Sequence, residues 1–178
     1  MSLTASDTNI VSNYTLPASG IRGFSSTTGG YYTAAINTAS KNNTTTSYGE
    51  GSGKIGVYYN FCAASAETAC AEKNSNDALY DVCPKGWRMP TGGSGGECET
   101  LYTVYDGDVS SFLSTLSIAL AGYFLNYSAY YQGSEGNIWS STHYGEGNAY
   151  CLFTEPSDVD STYSLGRFFG YSMRCVAK

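Results

Sequence analysis

Glycine punctuates the last third of the chain at positions 122, 133, 136, 145, 147, 166 and 170, and no helical period of apolar residues survives between these points. Residues of such low helix propensity, together with the missing period, argue against a long helix there. The segment reads as short strands joined by loops. Within it, "AGYFLNYSAYYQGSEGNIWSST" (Ala121–Thr142) crowds rings among small polar residues. That mixture suits a surface better than a core, because Tyr combines a broad rigid ring with a hydroxyl that accepts many partners.

Upstream, residues 1 to about 50 are rich in Ser, Thr, Asn and Gly, and the stretch from Ala39 to Gly53 reads as an exposed loop. "GGYYTAAI" and "GKIGVYYNFCAAS" have the composition of strands, the second ending near Cys62. "YDVCPKGWRMPTGG" (Tyr80–Gly93) contains two prolines and must be an ordered turn, with Trp87 expected in the core. "ECETLYTVY" reads as a short helix. "DVSSFLSTLSIAL" reads as a second, with Asp108 as N-cap and Val109, Phe112, Leu113 and Leu116 on its core-facing side. A chain of 178 residues supports one domain. We expect an N-terminal extension over 1–20 and the domain over 21–178, and no internal repeat is visible.

Cys62, Cys70, Cys83, Cys98, Cys151 and Cys175 include no C-x-x-C pair, and His143 is the sole histidine, so a zinc site is hard to assemble. Disulfides in an oxidising compartment fit this set; buried thiols in a reduced cell are the other reading. A net charge of −6 with nine Lys and Arg leaves no basic footprint, which argues against nucleic acid and anionic membranes as partners. No apolar run is long enough to span or insert into a membrane, and the N-terminus shows no export signal. The chain therefore reads as an excised extracellular or cell-surface domain whose signal or anchor lies elsewhere.

"CPKGWRMPT", "IWSST" and "GYSMRCVAK", in this order, resemble the Fibrobacter succinogenes major paralogous domain, whose C-type-lectin-like fold is related to formylglycine-generating enzymes. The resemblance covers Tyr80–Lys178 well and the region around "VYYNFCAAS" loosely. It implies an α+β domain in which two helices flank small twisted antiparallel sheets, with long ordered loops and the chain ends close together. It also implies that Cys83 pairs with Cys175, which leaves Cys62 with Cys70 and Cys98 with Cys151. Trp87, Trp139 and Arg174 take structural roles in this picture, Arg174 bridging to backbone or a carboxylate.

The tail bears a narrower resemblance to the variable regions of proteins diversified by retroelements: a stretch dense in Tyr, Asn, Ser and Gly, woven around W-S-S-T and closed by R-C-V. Adenine-directed mutation of AAC codons never yields Lys, Glu, Gln, Met or Trp. Between Tyr123 and Tyr171 there are thirteen Phe, Trp and Tyr in 49 positions, Lys is absent, and only Gln132, Glu135, Trp139, Glu146 and Glu155 fall outside that set. The expected function is display of a tyrosine-rich face over residues 121–172 that binds a protein or glycan on another cell or surface. Its contacts are expected to be Tyr123, Asn126, Tyr127, Tyr130, Tyr131, His143, Tyr144, Tyr163, Phe168, Phe169 and Tyr171. An invariant adhesive or carbohydrate-binding module of the same family is the alternative, and a polysaccharide hydrolase stands further back.

Catalysis is not expected. His143 has no serine or cysteine partner in a recognisable motif. The carboxylate pairs Glu97/Glu99, Asp106/Asp108 and Asp158/Asp160 sit in Gly/Ser-rich surroundings where such groups cap backbone N–H groups more often than they cleave glycosides. The formylglycine-generating relatives act through cysteines, and Cys151 and Cys175 are here assigned to disulfides. No cofactor is expected. "TEPSDVDS" offers Glu155, Asp158 and Asp160 as hard oxygen ligands for a structural calcium, but Ser157 replaces the amide residue of the lectin calcium motif and its Trp-Asn-Asp partner is missing.

Overall fold

The computed structural model describes residues 33–37, 54–65, 77–125 and 128–178. It is a mixed α/β arrangement of short helices and small antiparallel sheets. β1 (Thr33–Asn37) pairs with β2 (Lys54–Tyr59), and a single turn of helix, α1 (Phe61–Ala64), follows at once, capped by the Asn60 side chain accepting from the Ala63 N–H. β3 (Trp87–Arg88) leads into α2 (Glu97–Thr103) and α3 (Val109–Thr115). The tail supplies a hairpin of β4 (Tyr123–Leu125) and β5 (Ser128–Tyr130), then the meander β6 (Gly136–Tyr144), β7 (Asn148–Glu155) and β8 (Asp158–Gly166), and finally β9 (Val176–Ala177), which returns to β3.

The meander divides the core in two. Successive strand residues point to opposite faces, and on β6 both faces are covered: Trp139 enters a cluster with Phe61, Met89, Cys151 and Tyr171, whereas Ile138 joins Phe112, Leu152, Val159 and Cys98. α2 and α3 close the second cluster, with Tyr102 and Tyr105 packing edge-on against Phe112. Asp108 caps α3 by accepting from the Ser111 N–H. α2 begins beside a bidentate ion pair, in which the Arg88 guanidinium donates to both Glu97 oxygens at 2.5 and 2.6 Å.

The segment 170–172 is the keystone between these pieces. Gly170 bonds Phe124 of β4, Tyr171 bonds Tyr59 of β2, and Ser172 bonds β6 through Asn137 and Trp139. Arg174 donates to the Leu116 carbonyl at the end of α3. Cys83 and Cys175 form a disulfide beside the β3–β9 pair.

Two structural expectations are corrected. Trp87 is 47% exposed, not in the core, because β3 is a two-residue strand at the rim whose inward neighbour is Met89. Cys98 and Cys151 are buried free thiols, not a disulfide. They belong to different core clusters: Cys98 lies with Leu152, and Cys151, one position earlier on β7, lies with Trp139. Burial pushes both thiols up, Cys98 to about 12, so neither is a ready nucleophile. Cys62 is disulfide-bonded, and its expected partner Cys70 lies outside the described residues, as does the proposed boundary of the 1–20 extension.

Candidate ligand-binding face

The β4–β5 hairpin exists because Gly122 and Tyr131 bracket it with left-handed conformations, at φ 68° and 53°. A Cβ on Gly122 would lie 1.9 Å from the Tyr130 carbonyl oxygen, so only glycine admits this close approach. Beneath the hairpin, the Tyr58 hydroxyl donates to the Ala121 carbonyl and accepts from Gln132 Nε2 at 2.9 Å. Burial pushes the Tyr58 hydroxyl up to about 12, keeping it a neutral donor.

Rings gather on this anchored hairpin. Tyr123 stacks on Tyr130 with centroids 5.4 Å apart, meets Tyr131 at 5.7 Å and receives Phe169 edge-on at 5.4 Å; Phe168 stacks on Phe169 at 4.8 Å. Tyr130 and Tyr131 are outermost, 40% and 56% exposed, while Tyr123, Phe168 and Phe169 are half-buried. Tyr171 forms the floor, 4.4 Å from Trp139. The array is thus graded from exposed rings through half-buried ones to a fixed base. Glu135 stands among these groups: burial raises its carboxyl, an Asn137 hydrogen bond opposes the rise, and the nearby Glu155 charge adds to it.

The structure brings together Tyr123, Tyr130, Tyr131, Phe168 and Phe169 from the expected contacts. Others lie apart. His143 is buried edge-on against Phe61, centroids 4.9 Å apart, and cannot touch a ligand. Tyr171 is fully buried, since three segments converge on it. Tyr163 is half-buried, tilted against Phe153 and packed on the core. Tyr144 is exposed but pairs with Tyr150, remote from the Tyr123 array in the network of ring contacts. Asn126 and Tyr127 lie outside the described residues.

Arg167 escaped sequence reading. It is buried, donates to the Asn148 and Gly145 carbonyls at 2.9 and 3.0 Å, and covers the Phe61 ring at 5.7 Å. Its signal was a lone cation inside "GRFFG", a segment otherwise free of charge.

Asp158 and Asp160 of the tail serve the backbone. Asp158 accepts from the Val159 N–H at the start of β8, next to the β7–β8 turn, and Asp160 accepts from the Thr162 N–H and hydroxyl within β8, where the β7–β8 register shifts. Among the described residues no three His, Cys, Asp or Glu side chains converge as a metal site would require, and no helix is long and apolar enough to cross a membrane. Comparison with protein-family models, curated proteins and solved structures finds no match to this chain.

Proposed function

We infer that this is a non-enzymatic, extracellular ligand-binding domain of C-type-lectin-like fold whose hairpin-borne tyrosine array is the binding face, diversified in its tail by a retroelement. The observation that carries the reading is the array itself, in which exposed Tyr130 and Tyr131 are backed by half-buried rings on an anchored hairpin. Rings held in this way offer contact area with little rotamer entropy left to lose, as antibody loops do. The Cys83–Cys175 disulfide favours an oxidising, extracellular setting. The partner is a protein or glycan on another surface. Truncating Tyr130 or Tyr131 at such an interface costs about 2 kcal/mol of affinity.

Deep sequencing of the gene across independently grown populations of its host tests the reading. Substitutions concentrated at Tyr123, Tyr130, Tyr131, Phe168 and Phe169, with Trp139, Arg174 and Cys175 constant, are expected. A tail as constant as the rest of the chain would overturn diversification and leave an invariant adhesive module.

A further inference from the structure

A second recess lies away from the tyrosine array, at the open end of the meander, where the N-terminus of α2 meets β7 and β8. It is a shallow cleft of about 420 Å³ lined by Ser94, Glu99, Tyr144, Tyr150, Thr162 and Ser164. The volume falls in the range of small-molecule sites, about 300–1,000 Å³. We propose that this cleft binds a neutral saccharide, with Tyr144 and Tyr150 as its apolar platform and Glu99 and the serine and threonine hydroxyls as its polar partners.

The two rings give the cleft its shape. Their centroids are 4.9 Å apart at an interplanar angle of 57°, so they form a corner, not a slot. Tyr150 is held from behind: a Cβ on Gly93 would come within 2.8 Å of its ring, and one on Gly92 within 2.8 Å of its Cβ. The glycine pair therefore lies directly against Tyr150 and backs its ring. Tyr144 is 49% exposed and supplies the open wall. A corner of this kind accepts the C–H face of a pyranose on one ring while the other limits its tilt.

The polar groups match hydroxyls better than charges. Glu99 accepts from the Gly95 N–H at 2.6 Å through one carboxylate oxygen, leaving the other for the ligand. Thr162 donates to Asp160 and so faces the cleft as an acceptor. Among the described residues, Ser94, Ser164 and the hydroxyls of Tyr144 and Tyr150 have no hydrogen-bond partner, so each can donate and accept. Among the described residues no lysine or arginine lines the cleft, and its one charged group is the Glu99 carboxylate, which disfavours phosphate, sulfate or uronate groups. A quaternary ammonium ligand would engage Glu99 and the rings but could make no hydrogen bond to those hydroxyls. A wholly apolar ligand would find too little cover. A polyol with one apolar face uses every group present.

Amide shift titrations of the intact protein in the presence of EDTA test this, using neutral methyl pyranosides and cello- and chito-oligosaccharides, with choline and inorganic phosphate as comparison probes. At least one saccharide is expected to shift the Tyr144, Tyr150, Thr162 and Ser164 amides with Kd in the millimolar range, roughly where shallow single-site binding falls. Tyr144→Ala and Glu99→Gln should each weaken it by about tenfold, whereas Tyr130→Ala, which disables the proposed array, should leave it unchanged. The proposal is overturned if no saccharide shifts these amides up to roughly 10 mM, if choline or phosphate binds in preference, or if the shifts survive Tyr144→Ala. Loss with Tyr130→Ala would overturn it as well, by making the cleft part of the array.

Discussion

The Tyr171 hydroxyl is buried with no hydrogen-bond partner among the described residues, while its ring is packed against Trp139. A buried donor without an acceptor costs about 1–3 kcal/mol of desolvation, and burial raises this phenol far above its ordinary range. Tyr171→Phe keeps the ring and removes the orphan. It is expected to stabilise the fold by about 1 kcal/mol in urea denaturation with an unchanged slope. Destabilisation would mean that the hydroxyl is satisfied in solution. The same residue shows where sequence reading stops. Nothing in "GYSMRC" separates a surface tyrosine from a buried one, because its burial is imposed by β2, β4 and β6, all distant in sequence. His143 fails for a like reason: its neighbour Phe61 arrives from another element.

Elements with local causes were legible, and those with tertiary causes were not. α3 could be read from its Asp108 cap and the spacing of Val109 and Phe112, and the strands of the tail from their glycines. Trp87 could not, since β3 is a strand only by virtue of β9. The ring array was legible as composition, but its selection from a longer roll of tyrosines required the hairpin. That hairpin depends on one glycine. Gly122→Ala combines a positive φ with a clash against the Tyr130 carbonyl. It should cost about 2 kcal/mol or more and shift a thermal melt accordingly; a wild-type melt would show that the hairpin can re-form around a Cβ. The Arg88–Glu97 pair tethers a second element, α2, to the turn before it, where Thr91 N–H also donates to Glu97 at 3.0 Å. Hydrogen bonding to Arg88 lowers the Glu97 carboxyl from 4.5 to about 2. A depressed folded-state value means that the stabilisation is present above the unfolded value and is lost as pH falls from about 4.5 towards 2. The Glu97 side chain is 42% exposed, so solvent screening holds the gain below about 1 kcal/mol. Glu97→Gln should flatten that part of the stability-against-pH curve, and an unchanged curve would remove the pair from the acid response.

At the scale of the whole molecule, cysteine chemistry separates two ways of holding so loop-rich a chain together. The Cys83–Cys175 bond closes a loop with a sequence separation of 92 and fastens the β3–β9 pair to the core. Restricting the unfolded chain over that span stabilises by about 4 kcal/mol in the loop-entropy account, a large part of the ~5–15 kcal/mol available to an ordinary domain. Three disulfides would have made a stapled scaffold. Instead Cys98 and Cys151 are used as apolar side chains, one in each core cluster, so packing on both faces of the meander shares the task. The two accounts give different thiol counts. A thiol-specific reagent should find Cys98 and Cys151 unreactive in the native protein and both reactive once it is unfolded without reductant. Cys83→Ser should lower stability by about 4 kcal/mol, whereas Cys98→Ala should cost only what a small buried side chain contributes, about 1 kcal/mol. No thiol at either position after unfolding would restore the Cys98–Cys151 bond and require β7 to turn Cys151 towards the helical face.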